Sequence, residues 1–193
     1  MDTAGKLPGI NMLLPAHGVG YRRPEDIAHV LDLYRRYCLQ IPEKKLTVLY
    51  DCNWFGTEKM AVAIASGAAS VGVDVTHITN VATEMLDSAG IAVGSPVLHE
   101  SILPDLACHL SYLKCLNVRN KVGAIFGNYG WTKNAVQKEI RQQLFTPCKV
   151  KEVAEPVMGL WNPVEEDFRR CEELGRKLGE AVIENVNNYP KNK

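Results

Sequence analysis

The spacing of hydrophobic positions changes at residue 46 of the chain. Before it, apolar residues recur on one face of an amphipathic helix that begins at Pro24, namely Ile27, Val30, Leu31 and Tyr34. From Leu46 onward, short apolar runs alternate with longer stretches in which every third or fourth residue is apolar. This second pattern predicts strands that alternate with helices.

The alternating part predicts five strands and five helices. The predicted strands are Leu46–Tyr50, Val73–Ile78, Ile91–Gly94, Val122–Phe126 and Cys148–Val153. The predicted helices are Glu58–Val71, Ala82–Ser88, Pro104–Leu116, Thr132–Leu144 and Val164–Asn185. Such alternation favours a parallel sheet covered on both faces, and right-handed crossovers make it a three-layer α/β/α sandwich. Five strands predict the flavodoxin-like order 2-1-3-4-5.

A polar stretch, Ile41-Pro-Glu-Lys-Lys45, separates the two patterns and indicates a linker. We place the domain boundary there, with residues 1–42 before a sheet domain of residues 43–193. Residues 1–23 are rich in glycine and proline, so we expect them to be irregular.

Composition and charge narrow the classes of partner. The 193 residues include 22 basic and 22 acidic side chains, and a net charge of zero gives no basis for binding nucleic acid. No apolar run approaches the ~20 residues of a membrane-spanning helix, and the first residues lack a signal-peptide pattern. Six cysteines follow no C-x-x-C or zinc-finger spacing, which favours reduced thiols and a cytoplasmic location.

Candidate chemistry lies in three loops, because ligands of such sheets bind beyond the carboxyl ends of the strands. The first loop consists of Cys52, Asn53, Trp54, Phe55, Gly56 and Thr57. The second loop holds Ser95, Pro96, Val97, Leu98 and His99. The third loop is formed by Gly127, Asn128, Tyr129, Gly130 and Trp131.

Each loop suggests one part of a ligand site. The first opens a helix whose N-terminus suits a phosphate, and we expect the Thr57 hydroxyl to cap that helix. Prolines stiffen the second loop, and the third combines glycines with aromatic rings that can cover a flat ligand. This combination predicts FMN rather than a dinucleotide, since the chain has no G-x-G-x-x-G motif.

The same segments resemble a known family. Tyr50–Ala61, Val93–His99 with Leu103-Pro104, and Phe126–Trp131 with Ala135-Val136 are similar, in order and spacing, to the flavodoxin-like domain of flavodiiron proteins. Ile10–Gly18 resembles the last stretch of that family's metallo-β-lactamase-like domain, in which His17 matches an iron ligand. The resemblance implies an FMN that passes electrons to a di-iron site, which reduces oxygen or nitric oxide, usually across a head-to-tail dimer.

The chain departs from the family pattern at the iron site. The H-x-H/E-x-D-H motif that carries further iron ligands is missing from this sequence. Because a bound metal usually needs at least three protein ligands, we expect no metal site around His17 alone.

The chain also departs from the family pattern in the flavin loops. Cys52 replaces a hydroxyl residue, Phe55 replaces glycine, Gly56 replaces a small polar residue, Val97 replaces threonine, His99 replaces asparagine, and Asn128 replaces serine. A thiol is a weaker donor than a hydroxyl, and a positive φ at Phe55 would cost about 1–3 kcal/mol unless the turn shifts to Gly56. Together the changes predict that FMN binding is weakened roughly a hundredfold.

Three functions remain open at this point. The first is an FMN-binding electron-transfer module that works with a redox partner protein or a separate iron domain. The second is an interaction module that keeps the fold without flavin, for which the first loop is a plain turn. The third, a flavin reductase with a nicotinamide donor, has no recognisable nicotinamide site.

Without an iron domain, residues 1–40 would expose an apolar face, which predicts that they fold back or form a homodimer.

Two residues of the loops allow other interpretations. Cys52 could be a reactive thiol at a helix N-terminus, where its pKa would be lowered. His99 could donate a proton, contact the flavin or be solvated.

Overall fold

The structure is a computed structural model that describes residues 9–77 and 81–190. The described chain divides into two compact units, and the boundary along the sequence lies between Ile41 and Pro42. In the first unit, Leu13 and Tyr21 form an antiparallel bridge with two N–H···O bonds of 2.9 Å. Helix α1 (Pro24–Leu39) follows; it begins at the predicted proline and is capped by Gln40, whose φ is +48°.

The second unit is built on one parallel sheet. Its strands are β1 (Glu43–Tyr50), β2 (Asp74–His77), β3 (Ser88–Pro96), β4 (Val122–Tyr129), β5 (Lys151–Glu152) and β6 (Val157–Leu160). The strand order is β2-β1-β3-β4-β5, which confirms the predicted flavodoxin-like order. The last residue of the predicted second strand, Ile78, lies outside the described residues.

A short sixth strand was missed by the sequence prediction. Strand β5 pairs only with Val122–Gly123 at the start of β4, whereas β6 pairs with Phe126–Tyr129 at its end. The fifth position of the sheet is therefore shared by two short strands. The predicted strand Cys148–Val153 was wrong at its start, because Cys148 ends a helix and Lys149 takes a φ of +54°.

Helices cover both faces of the sheet. They are α2 (Gly56–Ala69), α3 (Val81–Asp87), α4 (Pro104–Cys115), α5 (Ala135–Ile140), α6 (Thr146–Cys148) and α7 (Glu165–Asn188). A π-helical turn, Arg141–Phe145, joins α5 to α6, so the predicted single helix Thr132–Leu144 is interrupted. Arg141 in that turn holds Glu152 of β5 through two bonds of 2.7 and 2.8 Å.

The two faces of the sheet have separate cores, because successive side chains of a strand point to opposite faces. One core combines Leu46, Val48, Ala92, Ala124 and Phe126 with buried residues of α2 and α7. The other combines Leu49, Ile91, Val93 and Ile125 with residues of α4, α5 and the π-helical turn. This arrangement fixes the carboxyl ends of β1, β3 and β4 side by side.

Two further observations concern the chain as a whole. Among the described residues, no helix combines the length and the apolar character that crossing a bilayer requires. All six cysteines are free thiols, and two of them, Cys148 and Cys171, are buried.

Candidate functional site: a cleft at the carboxyl edge of the sheet

A cleft of about 640 Å³ opens beyond the carboxyl ends of β1, β3, β4 and β6. Residues from all three predicted loops line it, namely Asn53, Trp54, Gly56, Thr57, Pro96, Val97, Leu98, His99, Asn128, Tyr129, Gly130 and Trp131. Its other lining residues are Glu100, Thr132, Trp161 and Asn162. The cleft has the size and the mostly apolar lining that are typical of cofactor sites.

The first loop turns sharply at Phe55. This residue takes a φ of +61° and its carbonyl accepts the first helical bond of α2, from the Lys59 N–H at 3.0 Å. Gly56 is already the first residue of the helix. The suggestion that Gly56 relieves the turn was therefore wrong, and the backbone of Phe55 takes the strained conformation.

Thr57 does not cap α2, contrary to the sequence prediction, because no side-chain oxygen bonds the first turn of this helix. Its hydroxyl instead donates to Asn128 Oδ1 at 2.8 Å. Asn128 Nδ2 in turn donates to the carbonyl of Trp161 at 2.9 Å. One amide at the end of β4 therefore ties the start of α2 to the segment after β6.

Two predicted residues of the first loop lie away from the cleft. Cys52 is half-buried, and its N–H donates to Asp51 Oδ1 at 2.8 Å. Phe55 lines a separate groove that Val62 of α2 and Phe168 of α7 share. Its ring therefore does not fill the ligand cleft.

The second loop contains a tight turn. Leu98 and Ser101 exchange two backbone bonds of 2.9 Å, while His99 and Glu100 between them take φ values of +46° and +60°. Two successive positive φ values are typical of a type I′ turn, in which Asn-Gly is the preferred pair. The side chains of His99 and Glu100 are thereby placed at the cleft.

Ser95 of the second loop has a structural position rather than a place in the cleft. Its side chain is fully buried, donates to the Pro96 carbonyl at 2.7 Å and accepts from the Leu103 N–H at 3.1 Å. These bonds connect the end of β3 to the start of α4.

Gly127 of the third loop also stays outside the cleft. A Cβ added to it would lie 2.0 Å from the carbonyl oxygen of Ser95, so only glycine lets β3 and β4 approach here.

The aromatic residues of the third loop face the segment after β6, which the sequence prediction did not include in the site. A Cβ on Gly130 would lie 2.7 Å from the Trp161 ring, so glycine makes room for this indole. The Trp161 N–H donates to the Tyr129 carbonyl at 2.7 Å. The rings of Trp131 and Trp161 meet edge to face, with centroids 4.7 Å apart.

Strained backbone recurs in the loops that form this cleft. Eight non-glycine residues of the described chain have positive φ, and four of them, Phe55, His99, Glu100 and Trp161, belong to the loops described above. Such conformations cost free energy and are found preferentially at binding sites. The large exposed rings of Trp54 and Trp131, each 87% accessible, indicate the same, because apolar surface of this kind usually has a ligand or partner.

The electrostatics of the site are modest. Among the residues that the structure describes, no lysine or arginine lines the cleft, and Glu100 is the one carboxylate that does. Just beside the first loop, burial raises the pKa of Tyr50, and the neighbouring charges of Glu58 and Cys52 raise it further. Within residues 9–77 and 81–190, no group of three or more His, Cys, Asp and Glu side chains is placed to hold a metal ion.

Comparison with known proteins points to flavin proteins. A nitric oxide reductase of Moorella thermoacetica is 33% identical over 183 residues, which are 91% of this chain and 45% of the reductase. The flavodiiron protein of Giardia intestinalis has a similar structure, with a TM-score of 0.85 and 29% identity over 92% of this chain and 46% of that chain. No protein-family profile matches the sequence.

A flavodoxin from the domain Archaea aligns along 99% of its own length with 72% of this chain, at 28% identity and a TM-score of 0.65. The sheet unit is therefore a flavodoxin-like domain, similar to that of flavodiiron proteins. The chain spans a little under half the length of the reductase and of the flavodiiron protein.

Proposed function

We propose that the sheet domain, residues 43–193, binds FMN in the cleft and serves as an electron-transfer module of an oxidoreductase. The observation that carries this proposal is the convergence of three separate loops on one aromatic-lined cleft of about 640 Å³. The cleft lies beyond the carboxyl ends of the strands, around the point between β1 and β3 where the strand order reverses, and open α/β sheets bind their ligands at this point.

The residues of the cleft suit a flat ring on a polar tail. Trp54, Tyr129 and Trp131 offer aromatic surface for the ring. Gly56 and Thr57 bring the N-terminus of α2 to the cleft, where backbone N–H groups favour an anion. FMN bound in this way would supply reversible electron transfer, and the chain would hold its ring and limit its contact with water.

The electron acceptor would lie outside the sheet domain. We interpret residues 1–42 as the end of a metallo-β-lactamase-like domain, with His17 at the position of an iron ligand. Among residues 9–77 and 81–190, no group of His, Cys, Asp and Glu side chains that could hold a metal forms around His17, and we propose that electrons pass to a redox partner protein or to a separate iron domain. A homodimer in a reducing, cytoplasmic setting is consistent with this role and with the free cysteines.

The proposal is tested by titrating the purified full chain with FMN and following the quenching of flavin fluorescence. We expect saturable binding with a Kd below about a millimolar, and a tenfold or greater loss of affinity in Trp131→Ala. Tyr112→Ala is a matched control, because Tyr112 is an exposed aromatic residue on α4 away from the cleft. Absence of binding, or equal loss in both variants, would refute the proposal.

The second candidate function is an interaction module without flavin. The observation that favours it is the bond between Thr57 and Asn128, because this pair satisfies itself without a ligand. Failure of Phe55→Gly, as well as the unaltered chain, to bind FMN would support this function over the first.

A further inference from the structure

We propose that the cleft recognises the ring system of a flavin and gains little from its phosphate, so that riboflavin binds nearly as tightly as FMN. This inference rests on the proposed function and specifies its ligand. It follows from the hydrogen bonds of the cleft, from its charges and from the position of its aromatic rings.

The hydroxyl best placed for a phosphate is already engaged. Thr57 Oγ1 donates its single proton to Asn128 Oδ1 at 2.8 Å, and the Thr57 side chain is buried. A phosphate oxygen could accept that proton only after the existing bond breaks. The net gain from such an exchange is small, because one hydrogen bond replaces another.

Asn128 is held in this orientation from its other end. Its Nδ2 donates to the Trp161 carbonyl at 2.9 Å, while Oδ1 accepts from Thr57. Rotating the amide toward a phosphate would leave both the hydroxyl and the carbonyl without their partners. The Thr57–Asn128–Trp161 chain of bonds therefore opposes recruitment of either side chain by an anion.

The remaining features of this end also give a phosphate little support. Cys52 and Phe55 do not line the cleft, and no lysine or arginine of the described residues does so. The charge that the described lining does carry is the Glu100 carboxylate of the second loop, which repels a dianion wherever in the cleft the phosphate lies. The first turn of α2, whose residues Gly56 and Thr57 are buried, is the favourable feature, but the attraction of a helix end for an anion falls off within one turn.

The part of the cleft that would receive the ring is lined by aromatic side chains. Three aromatic residues line it: Tyr129, Trp131 and Trp161. A backbone hydrogen bond links Trp161 to Tyr129, and the indoles of Trp161 and Trp131 pack edge to face. Aromatic surface of this kind binds a flat ring whether or not the ligand carries a phosphate. The balance of contacts thus lies with the part that riboflavin and FMN share.

The test is a pair of titrations of the full chain, one with FMN and one with riboflavin, followed by flavin fluorescence and by calorimetry. We expect the two Kd values to agree within fivefold and the FMN value to be nearly unchanged between 50 and 500 mM salt. FMN binding that is tighter by fivefold or more would overturn this inference and leave the proposed function intact. Absence of binding by both flavins would remove the proposed function, and this inference with it.

Two variants test the cause of the weak selectivity. Asn128→Ala frees the Thr57 hydroxyl, so the ratio of the riboflavin Kd to the FMN Kd should rise about fivefold, whatever the variant does to the binding of the ring that both ligands share. Adding Thr57→Val to that variant should abolish the gain, whereas Thr57→Val alone should leave the ratio of the two Kd values unchanged. An unchanged ratio in Asn128→Ala, with circular dichroism showing an intact fold, would show that the bond does not limit phosphate binding and would overturn the proposed cause.

Discussion

The indole rings of Trp131 and Trp161 lie edge to face, with centroids 4.7 Å apart and ring planes at 83°. The first ring belongs to the loop after β4 and the second to the segment after β6. Both line the cleft, so the orientation of Trp131 depends on a residue that is distant in sequence. Aromatic pairs of this geometry contribute about 0.5–1.5 kcal/mol beyond their buried area.

Replacing Trp161 by alanine should therefore weaken flavin binding by about two- to tenfold, because Trp131 loses the ring that positions it. The measurement is a fluorescence titration with FMN. Leu160→Ala is the matched control, since Leu160 is exposed beside Trp161 and does not line the cleft. Equal affinities in the wild-type chain and in Trp161→Ala would contradict the positioning role.

Phe55 provides a prediction about stability. Its φ of +61° is unfavourable for any residue with a Cβ, and its ring is largely exposed. We expect Phe55→Gly to raise the free energy of unfolding by about 1 kcal/mol relative to Phe55→Ala, which removes the ring and keeps the strain. Urea denaturation measures this difference. Equal stability of the glycine and alanine variants would show that the turn is not strained.

Most of the fold could be predicted from the sequence, because its strands are continuous apolar runs and its helices have apolar residues at a helical period. Strand β6 was not predicted because Val157–Leu160 is short and lies in a stretch whose sequence resembles a loop. The π-helical turn was not predicted because its buried residues, Leu144 and Phe145, fit the apolar pattern of an α-helix equally well. Both depend on long-range contacts rather than on local propensity.

The candidate site was predicted in part. The three loops were found because the carboxyl ends of neighbouring parallel strands must meet at one edge. Trp161 and Asn162 were missed because their place at the cleft depends on the pairing of β6 with β4. The hydrogen bond from Thr57 to Asn128, which replaces the predicted helix cap, could not be predicted for a similar reason, since Asn128 lies far along the chain in β4. The one sequence signal for this part of the site was Trp161, an aromatic residue shortly before the acidic start of α7.

We expect that Gly127 cannot be replaced, because it lies where the backbone of β3 approaches that of β4. A methyl group there would lie 2.0 Å from the Ser95 carbonyl oxygen, which is backbone and cannot move aside alone. We expect Gly127→Ala to lower the free energy of unfolding by about 2 kcal/mol or more and to weaken flavin binding. Gly159→Ala of β6 is the control, since its nearest neighbour is a side-chain oxygen at 3.3 Å, and its effect should be below about 1 kcal/mol. Similar losses in the two variants would contradict this view.

Lys121 is a buried cation at the other edge of the sheet. It is 3% exposed, and its Nζ has no hydrogen-bond partner in the part of the chain that the structure describes. Burial lowers the pKa of its ammonium group to about 8, although the charge of Asp87 raises it in part. Asp87 is shared with Lys45, whose Nζ lies 3.5 Å from its carboxylate. The charge of Lys121 at neutral pH is therefore compensated only in part, by Asp87, and its burial opposes folding.

Lys121→Met should be more stable than the wild-type chain at pH 7, by about 1–3 kcal/mol, because methionine fills similar space without a charge. Since the folded-state pKa is about 8 and the ordinary value is 10.5, the penalty is complete below pH 8 and disappears as the pH rises toward 10.5. Urea denaturation of both proteins from pH 7 to 10 should thus show a shrinking difference. Comparing the two proteins cancels the opposite effect of Cys171, whose pKa burial raises to about 12. Lys151→Met, at an exposed lysine of β5, should shift stability by less than about 0.5 kcal/mol throughout. A pH-independent difference for Lys121→Met would contradict the assignment.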